Sequence, residues 1–265
     1  MQNTIYAKPK LMALAFLLLF SINPLLFAQE SSASKWQSDI SAGLNYKDGN
    51  SERTDYTMSA STERKTENDR FSAKYLGIFA KVTDTATDES EVTERNHRLN
   101  AAYDLDYSER VFFRLPSFEY FTDTFKNISH QATLGVAVGY KIYDQPDFRW
   151  DVLAGPSMQY TKYDEVEAGE DDTVSTPVLL IGTQLEYLIS EDIKYFLLYE
   201  GKFVKEDAGK RIDHLETGFN ISLIGNLSLD AKLVVDRVDY PIPDEDGVLP
   251  EKTDKLFILA AKYSF

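Results

Sequence analysis

From Lys35 to Phe265 the side chains change character at almost every step, apolar at one position and polar at the next. Lys255–Phe265 (KLFILAAKYSF) shows this most plainly, since Phe257, Leu259, Ala261, Tyr263 and Phe265 form one apolar and aromatic row. A repeat of two belongs to extended backbone, whose successive side chains point to opposite faces. Rows of this kind want one face against something oily and the other against something polar.

The same pattern recurs along the chain. Trp36, Ile40, Ala42, Leu44 and Tyr46 share a phase opposite Gln37, Asp39, Ser41, Gly43 and Asn45. Lys47-Asp48-Gly49-Asn50 forms a turn, because Asp-Gly favours the positive φ of tight hairpins. Further rows follow through Tyr56 and Met58, Phe71 to Phe79, Leu99 to Leu105, Leu134 to Tyr140, and Trp150 to Tyr160. Others pass through Leu179 to Tyr187, Ile193 to Phe203, Leu215 to Leu223 and Leu227 to Val235. Polar loops are expected from Thr83 to Val92, from Lys162 to Thr173 and from Tyr240 to Thr253. The fifth segment, Val111 to Phe121, is apolar on both phases and contains Pro116, so its register is left open. No stretch after the N-terminal segment sustains a helical period, and no linker divides the chain.

The segments number about twelve, longer than the ~5–6 residues of ordinary strands and suited to a tilted bilayer crossing. Connections after the second, fourth, sixth, eighth and tenth segments are short; those after the third, seventh, ninth and eleventh are longer and acidic. An even strand number with tight turns on the side of the termini is the plan of a transmembrane barrel. The expected fold is all-β, an antiparallel transmembrane β-barrel of about twelve strands, closed because an open edge in lipid leaves backbone groups unpaired. Aromatics at segment ends, among them Trp36, Tyr46, Tyr107, Tyr140, Trp150, Tyr160, Tyr187, Tyr195 and Tyr263, are placed for girdles at the lipid interfaces.

Composition narrows the function classes. There are 43 acidic against 28 basic side chains, a net charge of −15, which argues against a nucleic-acid partner. The absence of cysteine removes disulfides and thiolate metal sites. Sixteen Tyr and 16 Phe stand in a chain whose mean hydropathy is −0.34, a combination that suits alternating polar and apolar positions.

At the N-terminus, Lys8 and Lys10 precede an apolar run from Leu11 to Phe20, then Asn23-Pro24 and Leu26-Phe27-Ala28-Gln29. Charged start, short apolar centre and small residue before a polar one predict a secretory signal peptide over residues 1–28. A short periplasmic linker over 29–34 and the barrel over 35–265 complete the expected organisation. The destination is the bacterial outer membrane. Its lipid and lipopolysaccharide are the expected surroundings, with the oligomeric state left open.

Several stretches resemble the domain-of-unknown-function 481 family, bacterial proteins labelled as salt-induced outer membrane proteins. They are Trp36 with Gly43-Leu44 and Gly49-Asn50; Glu119-Tyr120 with Asp123, Phe125, Leu134-Gly135 and Gly139-Tyr140; and Gly155-Pro156 with the final Tyr263-Ser264-Phe265. The resemblance implies an outer-membrane barrel and brings no catalytic residues. The aromatic pair Tyr263 and Phe265 also resembles the terminal signal of such barrels, which implies recognition by the barrel-assembly machinery.

Both faces carry residues that could do chemistry. His130 falls on the lipid-facing phase, where a membrane lipase would hold its base, with Ser117 as the only nearby hydroxyl of open phase. No motif joins them, so a structural histidine is expected and the chain is expected not to be an enzyme. His214 beside Glu216 is expected as a hydrogen-bonded pair on the inner wall. Asp164, Glu165, Asp171 and Asp172 are weak hard-cation candidates that fail the spacing of a calcium loop, and no cofactor is expected.

The inner phase is the informative one. It collects Asp39, Asp55, Asp104, Asp106, Asp151, Glu186, Glu200, Glu216, Asp230 and Asp236 against Arg53, Lys74, Arg98, Lys202, Lys232 and Lys262. Buried charges persist only when paired or wet. Two outcomes follow: a salt-bridged plug, or a narrow pore whose surplus carboxylates favour cations. A structural or narrow-pore envelope protein is the leading expectation. A barrel enzyme acting on lipid and a surface-binding module using the acidic loops stand as alternatives.

Overall fold

The computed structural model describes residues 35–265 apart from 48–50, 85–89, 124–126, 165, 167–170, 206–208 and 241–251. For residues 35, 45–47, 51–53, 83, 84, 90 and 94 the description is of backbone alone. The expected signal peptide and linker lie outside the described residues. Twelve strands follow one another: β1 (Lys35–Lys47), β2 (Ser51–Lys65), β3 (Asp69–Asp84), β4 (Ser90–Asp106), β5 (Val111–Asp123) and β6 (Ile128–Asp144). Then come β7 (Phe148–Tyr163), β8 (Thr173–Ser190), β9 (Ile193–Phe203), β10 (Arg211–Ile224), β11 (Leu227–Val238) and β12 (Thr253–Ser264).

Each strand pairs antiparallel with its sequence neighbours, and β12 closes on β1 to complete a barrel. Closure runs through Asp39 opposite Ser264 and Gly43 opposite Ala260. Ser38 and Phe265 exchange backbone hydrogen bonds at 3.1 and 2.9 Å. The last strand therefore lies beside the first, as the apolar row Phe257 to Phe265 foretold. Residues 66–68, 107–110, 145–147, 191–192 and 225–226 make the tight turns, all at the end that holds Lys35 and Phe265.

The two phases divide as the sequence pattern requires. Outward positions such as Leu44, Leu134, Met158, Leu179 and Phe257 are exposed, while inward neighbours such as Thr133, Gln159, Thr176 and Lys232 are buried. A polar interior under an apolar exterior is the inversion of a soluble domain and belongs to a barrel standing in lipid. Many outward aromatics gather at the turn end, where Trp36 and Phe71, Tyr107 and Phe113, and Phe148 and Tyr187 pack with ring centres 6.0, 5.6 and 5.7 Å apart, while Tyr56 and Phe79 pair toward the loop end. Rings with a polar edge are favoured at headgroup level, so this girdle marks one membrane interface.

Two expectations are corrected. The two ends of the loop expected from Thr83 to Val92 are strand, since Val82 pairs with Glu91 and Thr83 with Ser90 past a bulge at Ala80/Lys81, while residues 85–89 lie outside the described residues. Backbone pairing continues there with Val82 opposite Glu91 and Lys81 opposite Val92, so each face mixes apolar and polar residues and alternation cannot flag the strand. In β5, pairing with β6 passes from Arg114 to Ser117 and skips Leu115-Pro116. The bulge switches the inward phase from Phe112 and Arg114 to Ser117, Glu119, Phe121 and Asp123, because proline has no N–H to give the ladder.

Candidate functional site

The site is the lumen itself. A chain of ionic hydrogen bonds crosses the lumen from one wall to the other. Lys202 of β9 bonds Glu119 of β5, whose other oxygen accepts from Arg98 of β4 at 3.1 Å. Arg98 also donates to Asp236 of β11 at 3.0 Å and lies with its guanidinium carbon 4.6 Å from the centre of the Phe121 ring. His214 of β10 bridges Asp236 at 2.7 Å and Glu216 at 3.2 Å. Glu216 closes the chain by accepting from Lys74 of β3 at 2.5 Å and Lys232 at 3.5 Å.

Charge is tolerable here because every member has an opposite partner. Glu216 is 1% exposed and Lys202 5%, so neither keeps a hydration shell, and an unanswered charge at either place would be strongly disfavoured. Beside the ionic chain, Leu76, Ile78, Val234, Ile258 and Ala260 pack as an apolar block. Register sets the two at one height: Leu76 lies opposite Arg98, Val234 opposite Glu216, and Ile258 opposite Lys232. The middle of the lumen is thus filled partly by hydrocarbon and partly by paired charge.

A second ionic cluster lies nearer the turns. Asp104 accepts from Arg70 at 2.8 Å and from Arg114 at 2.6 and 3.0 Å, and Arg70 reaches across to Asp151 at 3.5 Å. Phe112, 1% exposed, fills the space between this cluster and the wall. Gly139 admits it, since a side chain on Gly139 would strike the Phe112 ring. Lys141 bonds Asp106 at 2.7 Å, and Arg149 meets Glu186 at 3.5 Å. Beyond them a cavity of about 810 Å³ opens among the turns, lined by Lys65, Asn68, Asp106, Arg110 and Tyr143 among others.

The remaining inner-phase residues are placed as follows. Asp39 accepts from Ser264 at 2.5 Å and Ser61 at 3.3 Å, and Asp230 accepts from Asn220 at 2.6 Å and stands 3.7 Å from Lys262. Asp55 is buried, and Glu200 is half-buried opposite His214 in the β9–β10 register. The Arg53 side chain lies outside the described residues. Sequence reasoning passed over Glu119, Arg70, Arg114, Lys141 and Arg149. The four cations Arg70, Arg114, Lys141 and Arg149 offset much of the carboxylate surplus expected of the lumen. The signal for Glu119 was present downstream of Pro116, where Ser117, Glu119 and Asp123 alternate with Phe118, Tyr120 and Thr122.

The catalytic and metal candidates are kept apart. His130 is exposed on the outer wall, with Nδ1 2.6 Å from the Tyr120 hydroxyl. Ser117 stands opposite Ala102 and Gly135 on the lumen phase, so the two lie on opposite faces of the sheet. Its open phase resolves inward, which corrects the outward candidacy. Asp164, Asp171 and Asp172 are exposed; Asp172 stands 3.7 Å from Lys162 and accepts from Thr173 at 3.0 Å. Glu165 lies outside the described residues. Tyr263 and Phe265 are exposed at the turn end with ring centres 6.4 Å apart.

Among solved structures the chain is similar to the translocator domain of autotransporter NalP from Neisseria meningitidis. The identity is 12%, the TM-score 0.48, and 96% of each chain is covered. It is also similar to the NanC porin, at 10% identity and TM-score 0.47, over 86% of this chain and 97% of that one. An outer membrane channel from Pseudomonas putida F1 matches at 9% identity and TM-score 0.44, over 92% and 98% of the two chains. No curated protein matches the sequence. Residues 40–265 match the family described as "Protein of unknown function, DUF481", and the chain belongs to that family.

Proposed function

We propose that this protein is a non-enzymatic barrel of the bacterial outer membrane whose lumen is held shut at rest, a plugged cylinder and not a standing pore. The observation that carries this reading is the ionic chain from Lys202 through Glu119, Arg98, Asp236, His214 and Glu216 to Lys74, which ties β9, β5, β4, β11, β10 and β3 together. An ion entering the lumen at mid-height must break these pairs or displace the Leu76–Ile258 block. The separation of Ser117 from His130 supports the non-enzymatic part of the reading.

Planar-bilayer recording of the refolded protein tests it. The wild type is expected to show little steady conductance. Arg98→Ala, which removes the cation shared by Glu119 and Asp236, is expected to open a small conductance whose reversal potential under a salt gradient favours cations. A large steady wild-type conductance would overturn the plug, and anion preference in Arg98→Ala would overturn the cation-selective opened state. Recognition of Tyr263 and Phe265 by the assembly machinery belongs to the same reading. Replacing both with serine should lower the folded yield in cells while refolding from denaturant is retained.

A further inference from the structure

The outer wall changes character at the end opposite the aromatic girdle. Lys81, Arg95, Lys162, Arg211, Arg237 and Lys255 are all exposed, and all occupy outward positions near the loop ends of β3, β4, β7, β10, β11 and β12. Register fixes the outward phase: Arg95 lies opposite Phe79, Arg211 opposite Phe203, and Lys255 opposite Val235. This is a belt of positive charge on a chain whose net charge is −15. Lipid-facing cations are disfavoured at the bilayer centre and tolerated at its interfaces, so the belt marks a headgroup plane. The longer connections place that plane on the outer leaflet.

One part of the belt is tied together by backbone hydrogen bonds. Gly209 and Arg211 are held against the end of β11, with Asp239 N–H donating to the Arg211 carbonyl at 3.0 Å and Tyr240 N–H to that of Gly209 at 3.3 Å. Gly209 has φ +108°, and an added Cβ there would stand 3.1 Å from Val238, so the close approach needs glycine. The pinned segment presents the exposed Tyr240 ring with Lys210 Nζ 4.8 Å and Lys252 Nζ 5.5 Å from its centre. Alongside, Asp213 holds Arg211 at 2.9 Å and Asp239 holds Arg237 at 2.8 Å. Arg211 also donates to the Tyr199 hydroxyl at 3.1 Å, and each guanidinium still has its remaining terminal N–H donors for a ligand. An aromatic face flanked by ammonium and guanidinium groups suits a phosphorylated sugar, whose ring stacks while its phosphate is paired.

We propose that this belt binds the phosphate groups of the phosphorylated glycolipid of the outer leaflet, with the Tyr240 platform as its strongest point. The assignment rests on the outer-membrane reading above. Positive charge here selects phosphate-bearing lipid over neutral lipid and fixes the height of the barrel in the bilayer.

The test uses the full barrel refolded into phosphatidylcholine vesicles doped with bisphosphorylated lipid A or with the same lipid stripped of phosphate. Retained lipid is counted by native mass spectrometry. The phosphorylated form is expected to be retained and the stripped form not. Lys81→Gln, Arg95→Gln and Lys255→Gln together should weaken retention at least tenfold, because each basic side chain near an anionic surface contributes roughly a factor of five. Lys210→Gln with Lys252→Gln should weaken it comparably. Arg64→Gln, an outward cation at the turn end, should leave it unchanged. Equal retention of both lipids, displacement by excess inorganic phosphate, or an equal loss in Arg64→Gln overturns the proposal. Failure of the barrel to insert, seen as absence of heat-modifiable migration on a gel, overturns the membrane reading on which it rests. Insertion without phosphate preference overturns the lipid inference alone.

Discussion

The two faces of this one sheet handle charge in opposite ways. On the inner wall, charged side chains stand from the turns to mid-lumen and are answered by partners, several of them from the far wall, as with Arg98 and Asp236 or Arg70 and Asp151. On the outer wall, the middle is hydrocarbon, and Lys81, Arg95 and Lys255 are confined to one end. Inside, a charge is placed by its partner; outside, it is placed by its depth. Period-two alternation assigns a residue to a face, and the solvent of that face then decides what else the position demands.

The largest expected effect comes from breaking the inner rule. Arg98→Ala leaves Glu119 and Asp236 without their shared cation and should destabilise the barrel by about 3–5 kcal/mol, read from urea unfolding in vesicles. A loss well under 1 kcal/mol would mean that water reaches the ionic chain and screens it. Breaking the outer rule comes next. Leu134→Arg, at an exposed mid-wall position, should cost about 2–4 kcal/mol in the same assay, whereas Lys255→Leu at the belt should cost little, as depth-dependent penalties require. Equal costs at the two sites would remove depth as the organising variable.

The hydrocarbon half of the lumen can be probed separately. Ile258→Ala deletes buried volume from the block with Leu76 and Val234 and should cost about 2–3 kcal/mol. It should also raise conductance less than Arg98→Ala does, since the ionic chain remains. The smallest effect is the most diagnostic. Glu119→Leu combined with Lys202→Met replaces a buried pair by apolar volume and should change stability by no more than about 1 kcal/mol in either direction, although Glu119→Leu alone should be strongly destabilising. A double variant as damaged as the single one would show that Lys202 and Glu119 act through other groups.

Much of the barrel was legible in the sequence because lipid enforces alternation on every strand it touches. Strand number, the tight turns at one end and the closing of Phe257–Phe265 onto the first strand all follow from that rule. It failed where lipid stops enforcing it. Around Val82 and Glu91 each face mixes apolar and polar residues, Val82 opposite Glu91 and Lys81 opposite Val92, so strand was taken for loop. In β5 the bulge at Leu115-Pro116 switches the phase, so strict alternation looks apolar on both sides, which hid Glu119 and misjudged Ser117. The inner-phase residues could be collected by counting alternate positions, but which carboxylate meets which cation depends on the curvature and stagger of the closed sheet. Nothing local records that Arg98 faces Asp236.

The span of those pairings along the chain has a temporal consequence. Lys74 and Glu216 are 142 residues apart, Arg98 and Asp236 138, and Glu119 and Lys202 83. No growing hairpin can form them; each waits until the sheet has curled far enough for opposite walls to meet. Before then the carboxylates and ammoniums face water, and the unfinished sheet has one wet side and one oily side. Drying of the lumen is accordingly a late event, and its free energy rewards completion of the circle over the addition of any single strand. A sheet that stops short or joins its edges in the wrong order forfeits that reward, so the ionic chain serves as a check on whether the ring has been finished.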